Sequence, residues 1–227
     1  MRPLTDHTPK PLLMAGGKPL IVWHIERLMR AGITDLVINH AHLGAQIETA
    51  LGDGNRYGAR IRYSPEHPSA LETAGGIAHA LHLLDDEPFA VVNGDIYCDY
   101  DFSHLPKLAA KLQSSQDNIH LVLVDNPDHH PNGDFALQDN RVVPASRIPN
   151  PESPLLTFSG IGLYKPELFA HLDRNAAAPL APLLRAQIAS GRVRGEHYSG
   201  RWVDVGTPQR LEELDNELRA THNADHV

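Results

Sequence analysis

The sequence predicts a three-layer α/β domain built on a central, mixed but mostly parallel sheet. Three observations lead there. Segments with helical spacing of apolar residues alternate with short apolar runs through the first half of the chain. Those runs are almost purely apolar, as strands covered on both faces are. The chain, 227 residues at 41% hydrophobic content, is long enough for one large core.

The elements follow in order. In PLIVWHIERLMRAGI, Ile21, Ile25, Leu28 and Met29 share one helical face and Gly32 is a natural stop. DLVINH, 35 to 40, is a short buried strand. LGAQIETALGDG is a helix ended by Gly52 and Gly54, ARIRYSP a strand, and residues 74 to 84 a helix. PFAVVNGD, 88 to 95, is an apolar strand that ends in polar residues. NIHLVLVD is another buried strand, GDFALQDNRVV a hairpin turning at Asp139 and Asn140, and TFSGIGLY a strand. The Pro-rich run 145 to 154 reads as a surface loop inside one sheet rather than a linker. Helices are expected at 166 to 172, 179 to 190 and 207 to 220. The chain then reads as a single domain over residues 1–222 with a frayed tail at 223–227.

Composition narrows the function classes. The formal charge of −8 argues against a general nucleic-acid binder, which needs clustered Lys and Arg. No apolar run reaches the length of a membrane span and no secretory layout opens the chain, so a cytoplasmic protein is expected. The single cysteine, Cys98, cannot form an internal disulfide and reads as a packed thiol. Fifteen histidines come without zinc-type spacing.

Chemistry is suggested at four places. Asp95 ends the strand VVNGD, where a carboxylate projects beyond the sheet and suits Mg²⁺; capping of a turn with Gly94 is the competing reading, and spacing does not choose. Asp204 lies between a short strand and a helix entered at Thr207-Pro208, and alone reads as a turn residue. Lys10 sits in a Pro-Lys-Pro frame that presents its ammonium from stiffened backbone, although a lone Lys is usually a solvated surface group. Thr73 to Gly76 open a helix whose free N–H groups can meet an oxygen-rich ligand. LGDGNRYG, by contrast, runs from helix to strand, the wrong order for a phosphate loop.

Together these residues resemble the sugar-1-phosphate nucleotidyltransferase family. The resemblance rests on an ordered series: PLT-x-x-TPKPLL-x-x-x-GKPLI at 3 to 21, ETAGG at 72 to 76, VVNGD at 91 to 95, FSGIGLY at 158 to 164 and WVDVGTP at 202 to 208. The runs INHAHLGAQIETALGDG, VDNPDHH with GDF, and GEHYSGRWVDVGT are most similar to its branch that transfers uridylyl to N-acetylmuramate 1-phosphate in cell-wall recycling. Mannose-1-phosphate guanylyl transfer and glucose-1-phosphate thymidylyl or uridylyl transfer are the alternatives within the family. A catalytically silent nucleotide-sugar binding subunit is the alternative outside it.

The resemblance implies a Rossmann-like fold and an enzyme that joins a nucleoside triphosphate to a sugar 1-phosphate with release of pyrophosphate. It implies Mg²⁺, with Mn²⁺ as a substitute, on Asp95 and Asp204, and Lys10 on the reacting phosphates. Pro65, Glu66, Thr73, Gly75, Gly76 and Asn93 fall where the family holds the nucleotide, and Gly133, Asp134, Ser159 and Gly160 where it shapes the sugar pocket. No nucleic acid or membrane partner is implied, and the chain is expected to be a monomer or weak oligomer. The family's signature continues to the left of PLT as a strand and a G-x-G-x-R loop, so the expectation is a chain lacking both, with impaired turnover. Arg2 occupies a different place in the motif and does not substitute.

Overall fold

The structure, a computed structural model, describes residues 1–144 and 155–224. The loop expected at 145 to 154 and residues 225–227 lie outside the described residues.

In chain order, the first elements are β1 (Met14–Ala15), β2 (Lys18–Pro19), α1 (Leu20–Arg30), β3 (Asp35–His40), α2 (Gly44–Leu51), β4 (Arg60–Pro65) and α3 (Glu72–Ala80). Next come β5 (Phe89–Val92), β6 (Ile96–Cys98), α4 (Leu105–Gln113), β7 (Ile119–Val124), β8 (Phe135–Gln138) and β9 (Arg141–Pro144). The chain continues through β10 (Thr157–Tyr164), α5 (Leu180–Ala189), β11 (Val193–Tyr198), β12 (Trp202–Asp204) and α6 (Pro208–Ala224). Contacts gather into two compact units: residues 1–69, 93–103 and 201–227, and residues 70–92 and 104–200.

The first unit is organised by α1, which is apolar on two faces. Leu20 joins Leu13, Ala15, Tyr97, Val205, Leu211, Leu214 and Leu218, so one side of α1 packs with the β1–β2 hairpin and α6. Ile21, Val22 and Ile25 face Ile47, Leu51, Ala59 and Ile61, which brings in α2 and the parallel pair β3–β4. The antiparallel pair β6–β12 completes this unit, with Trp202 opposite Cys98 and Asp204 opposite Ile96.

The second unit holds a six-stranded sheet in the order β5-β10-β7-β11-β9-β8. Ile119, Leu121 and Leu123 of β7 point to one face and form a core with Ala74 and Ile77 of α3 and Leu180, Leu184 and Ile188 of α5. The period of two sends His120 to the other face, where it lines a cavity with Leu108 and Leu112 of α4. Helices therefore cover both faces, as the α/β reading requires. Asp139 and Asn140 turn the β8–β9 hairpin, both with positive φ, 49° and 61°.

The sheet is mixed, and its parallel share is smaller than βα alternation suggested. Only β7–β11 runs parallel; β5–β10, β10–β7, β11–β9 and β8–β9 are antiparallel. The reason lies in the second half of the chain, where a tight hairpin and the return strand β10 replace crossover helices. The helix expected at 166 to 172 shrinks to a single 3-10 turn, Pro166–Leu168.

Candidate active site

Three sequence-predicted residues meet in the first unit. Lys10 opens a one-turn 3-10 helix, Lys10–Leu12, with Pro9 before it and Pro11 within it, so the Pro-Lys-Pro frame does fix the local backbone. Its Nζ stands 2.8 Å from Asp95 Oδ2, with the two side chains 29% and 38% exposed. Pro11 comes up against Gly94, where an added Cβ would lie 3.4 Å from its Cγ. The lysine loop and the NGD turn are therefore seated on one another.

Asp204 reaches the same place through strand register. It lies opposite Ile96 in the β6–β12 pair, and the next residue, Val205, donates its N–H to the Asp95 carbonyl at 3.1 Å. Asp95 and Asp204 thus close the same end of one ladder. Carboxylates brought to one ladder end are hard oxygen donors of the kind that suits a divalent cation, with the remaining positions left to substrate oxygens and water. Among the described residues no group of three or more His, Cys, Asp and Glu could hold a metal ion, so this pair is not part of a larger protein cage.

Neither carboxylate stands without a counter-charge. Arg210 Nη1 lies 2.8 Å from Asp204 Oδ2. Arg210 was not singled out by its sequence, although Thr207 and Arg210 stand three apart at a helix start, where an N-cap hydroxyl meets the third helical residue. The Arg210 N–H does donate to Thr207 Oγ1, at 3.2 Å.

Behind the ladder, His24 of α1 is 3% exposed and its Nε2 is 2.8 Å from the Ile96 carbonyl oxygen. Burial lowers its pKa to about 4, so the ring is neutral and Nε2 carries the donated proton. Its Nδ1 is buried without a partner. Cys98, on the same strand, is fully buried, and desolvation pushes its thiol up to about 11. It is a packing residue, not a nucleophile.

The other predicted positions are divided between the two units. Pro65 ends β4 and Glu66 follows it, 9% exposed, its N–H donated to the His40 carbonyl at 2.8 Å and its Oε1 3.4 Å from Asn39 Nδ2. Asn93 follows β5 at the start of the turn leading to Asp95. In the second unit, Thr73 is exposed in the first turn of α3, whereas Gly75 and Gly76 are buried. The N–H groups of Ala74 and Gly75 are not open at this helix start: both donate to the Ala178 carbonyl at 3.0 Å. Gly75 lets that loop approach, since a Cβ there would sit 2.5 Å from the Ala176 oxygen.

Gly133, at φ 58°, leaves room for Asn126, whose Oδ1 would be 2.7 Å from an added Cβ. Asn126 escaped sequence reasoning; it donates to the Pro131 and Leu155 carbonyls and accepts from Thr157 Oγ1, which ties this segment together. Asp134 accepts the Phe158 N–H at 2.9 Å and pairs with His130 at 3.2 Å. Ser159 is 1% exposed; its hydroxyl donates to the Val122 carbonyl and accepts the Ile161 N–H. With Gly160 at φ 83° it forms a bulge in β10, the register shift between Phe158 and Ile161.

The model of one protein family, Nucleotidyl transferase, matches residues 1–221. An N-acetylmuramate alpha-1-phosphate uridylyltransferase of Neisseria meningitidis serogroup B is 53% identical over 94% of this chain and 90% of its own length. A second enzyme of that name, from Caulobacter vibrioides, is 33% identical over 92% of this chain and 88% of its own. Among solved structures, a Bacillus anthracis protein that carries the name glucose-1-phosphate thymidylyltransferase superposes with a TM-score of 0.81 at 21% identity. That match covers 96% of this chain and 90% of the other, and it bears on the fold alone.

Proposed function

The chain belongs to the nucleotidyl transferase family, and on that premise we propose that it transfers uridylyl from UTP to N-acetylmuramate 1-phosphate, giving the nucleotide sugar and pyrophosphate. The observation that carries the reading is the meeting of Lys10, Asp95 and Asp204 at one ladder end, in a chain 53% identical to an enzyme of that name. The reaction uses a cellular nucleoside triphosphate, so a cytoplasmic setting and a place in cell-wall recycling form part of the proposal.

The chemistry asks for no protein nucleophile. An oxygen of the sugar phosphate, already ionised near neutral pH, attacks the α-phosphorus of the nucleotide in line, and the bond to the β-phosphate oxygen breaks to release pyrophosphate. What the protein supplies is position and charge. Lys10, held by its two prolines, would give an ammonium to phosphate oxygens. Asp95 and Asp204, fixed by the β6–β12 register, would hold a divalent cation. When bound, that cation would supply positive charge to the phosphates under attack. His24 donates to the Ile96 carbonyl and so keeps the strand carrying Asp95 in register. On the strength of the resemblance, Pro65, Glu66, Thr73, Gly75, Gly76 and Asn93 are assigned to the nucleotide, and Gly133, Asp134, Ser159 and Gly160 to the sugar.

Pyrophosphate release, measured for a matrix of nucleotides against sugar 1-phosphates, tests the reading. UTP with N-acetylmuramate 1-phosphate should give the highest kcat/KM. A tenfold preference for GTP with mannose 1-phosphate would replace the substrate assignment and keep the reaction type.

A further inference from the structure

The carboxylates of the proposed metal pair are each engaged by a cation of the chain itself. Lys10 Nζ is 2.8 Å from Asp95 Oδ2, and Arg210 Nη1 is 2.8 Å from Asp204 Oδ2. We propose that Lys10 and Arg210 are intramolecular counter-ions that close the Asp95–Asp204 pair to a lone divalent cation, so that metal enters together with the nucleoside triphosphate. The inference rests on the reading of Asp95 and Asp204 as metal ligands.

The Arg210 side is built, not incidental. A cation three residues into a helix opposes the helix dipole, which favours negative charge at that end. Arg210 is nonetheless held there by Thr207 Oγ1, which accepts from both its backbone N–H at 3.2 Å and its Nε at 3.3 Å. Gly206 makes the approach possible: an added Cβ would lie 2.5 Å from Arg210 Nη2 and 3.2 Å from Asp204 Oδ2. Hydroxyl, missing side chain and guanidinium thus converge on one carboxylate. The Arg210 and Asp204 side chains are 23% and 34% exposed, so bulk solvent screens the pair less than it would a fully exposed one.

The consequence is a binding order. A divalent cation arriving alone meets two carboxylates already neutralised and only two protein ligand groups, so water must fill the rest of its shell and the protein holds it weakly. A nucleoside triphosphate changes both conditions. Its phosphates offer Lys10 a better partner than Asp95 and bring further oxygen ligands for the cation. Arg210 can stay on one oxygen of Asp204, a positioning residue that fixes the carboxylate's orientation.

Mn²⁺ serves as the probe, its free fraction read from the solution EPR signal, with the full chain and no turnover. Arg210→Gln should bind Mn²⁺ alone about tenfold more tightly than wild type, because removing a unit positive charge beside Asp204 strengthens its attraction for the ion. Adding Asp204→Asn should abolish that gain, and Arg210→Lys, which keeps the charge, should stay near wild type. With a UTP analogue bridged by methylene between the α- and β-phosphorus, wild type should take up Mn²⁺ well beyond a control holding the analogue without protein, since the triphosphate chelates the ion by itself. If Arg210→Gln fails to fold, Gly206→Ala, which displaces the guanidinium, should show the same gain for Mn²⁺ alone. A purely structural ion pair predicts no gain in either variant; that result, with analogue-dependent Mn²⁺ binding still lost in Asp95→Asn and Asp204→Asn, would overturn the counter-ion role alone. Analogue-dependent binding that survives both Asn substitutions would overturn the metal pair and the counter-ions together.

Discussion

His24 Nε2 stands 2.8 Å from the carbonyl oxygen of Ile96, the residue after Asp95, although 72 positions separate the two in sequence. The contact makes a buried imidazole part of the scaffold beneath the proposed metal pair. It also makes stability depend on pH. The folded ring titrates at about 4, lowered from 6.5 by burial, so between those values the unfolded chain binds a proton that the folded chain refuses. The contribution is present in full above 6.5 and is lost as pH falls toward 4. By linkage the loss between pH 7.5 and pH 5 is about 2 kcal/mol from this group. Urea midpoints at the two pH values should show it in wild type, and His24→Gln, which cannot titrate, should lose less by about that amount.

Asp117 makes a second case in the six-stranded unit, where the charged form is the favoured one. It is 5% exposed and accepts from Arg194 Nε at 2.7 Å and Arg141 Nη1 at 2.9 Å. Burial alone would raise its pKa, but the two guanidinium hydrogen bonds outweigh it and hold the carboxyl below its ordinary value. Its stabilisation is therefore present above that ordinary value and lost as pH falls through the lowered one. Asp117→Ala would strand two half-exposed guanidinium groups, at a cost of about 2 kcal/mol, less than for a fully buried pair. Thermal melting should show the drop, with KM for UTP unchanged in the surviving folded protein.

What was legible in the sequence, and what was not, follows from where the signal resides. β3, β7 and β10 are runs dense enough in apolar residues to be read directly, β4 shows Ile61 and Tyr63 alternating with arginines, and the Asp139-Asn140 turn carries its own chemistry. β11 was missed because VRGEHY is largely polar; it is a strand because β7 lies beside it in parallel register, a tertiary fact. α4 left a signal that went unused: Leu105, Leu108 and Leu112 at helical spacing, with Pro106 in the first turn. The three reactive side chains were recognisable one by one, but Lys10 and Asp95 meet across 85 positions and no local pattern gives that distance. Arg210 lies only six positions from Asp204, yet its pairing exists only because the chain turns between β12 and α6, which the sequence does not spell out.

Gly75 offers a test of packing against ligand contact within ETAGG. A Cβ would meet the Ala176 oxygen at 2.5 Å and the Ala178 nitrogen at 2.9 Å, both backbone atoms that cannot swing aside. Gly75→Ala should therefore push the 176–178 loop from α3 and break the shared bonds to the Ala178 carbonyl, a loss of about 1–3 kcal/mol as for other overpacked sites. Thermal melting and nucleotide KM, measured together, divide the roles. A lower melting temperature with unchanged KM assigns the glycine to packing, and a raised KM at unchanged melting temperature assigns it to the nucleotide.

The proposed metal pair makes the sharpest demand on activity. Asp95 and Asp204 are the carboxylates at the ladder end, and the substrates are two phosphorylated anions whose mutual repulsion only positive charge can offset. Lys10 alone supplies one unit of it. Asp95→Ala and Asp204→Ala should each lower kcat/KM for pyrophosphate release by about a hundredfold or more, the scale on which loss of electrostatic stabilisation is felt. Excess chelator should abolish wild-type turnover, and Mg²⁺ or Mn²⁺ should restore it. Each alanine also leaves a partner exposed: Lys10 loses Asp95 and Arg210 loses Asp204. These half-exposed pairs contribute little to folding, so melting temperatures should move by only a few degrees. Full turnover in either variant, or in chelator, would remove the carboxylate pair from the mechanism and leave Lys10 and the fold to account for the chemistry.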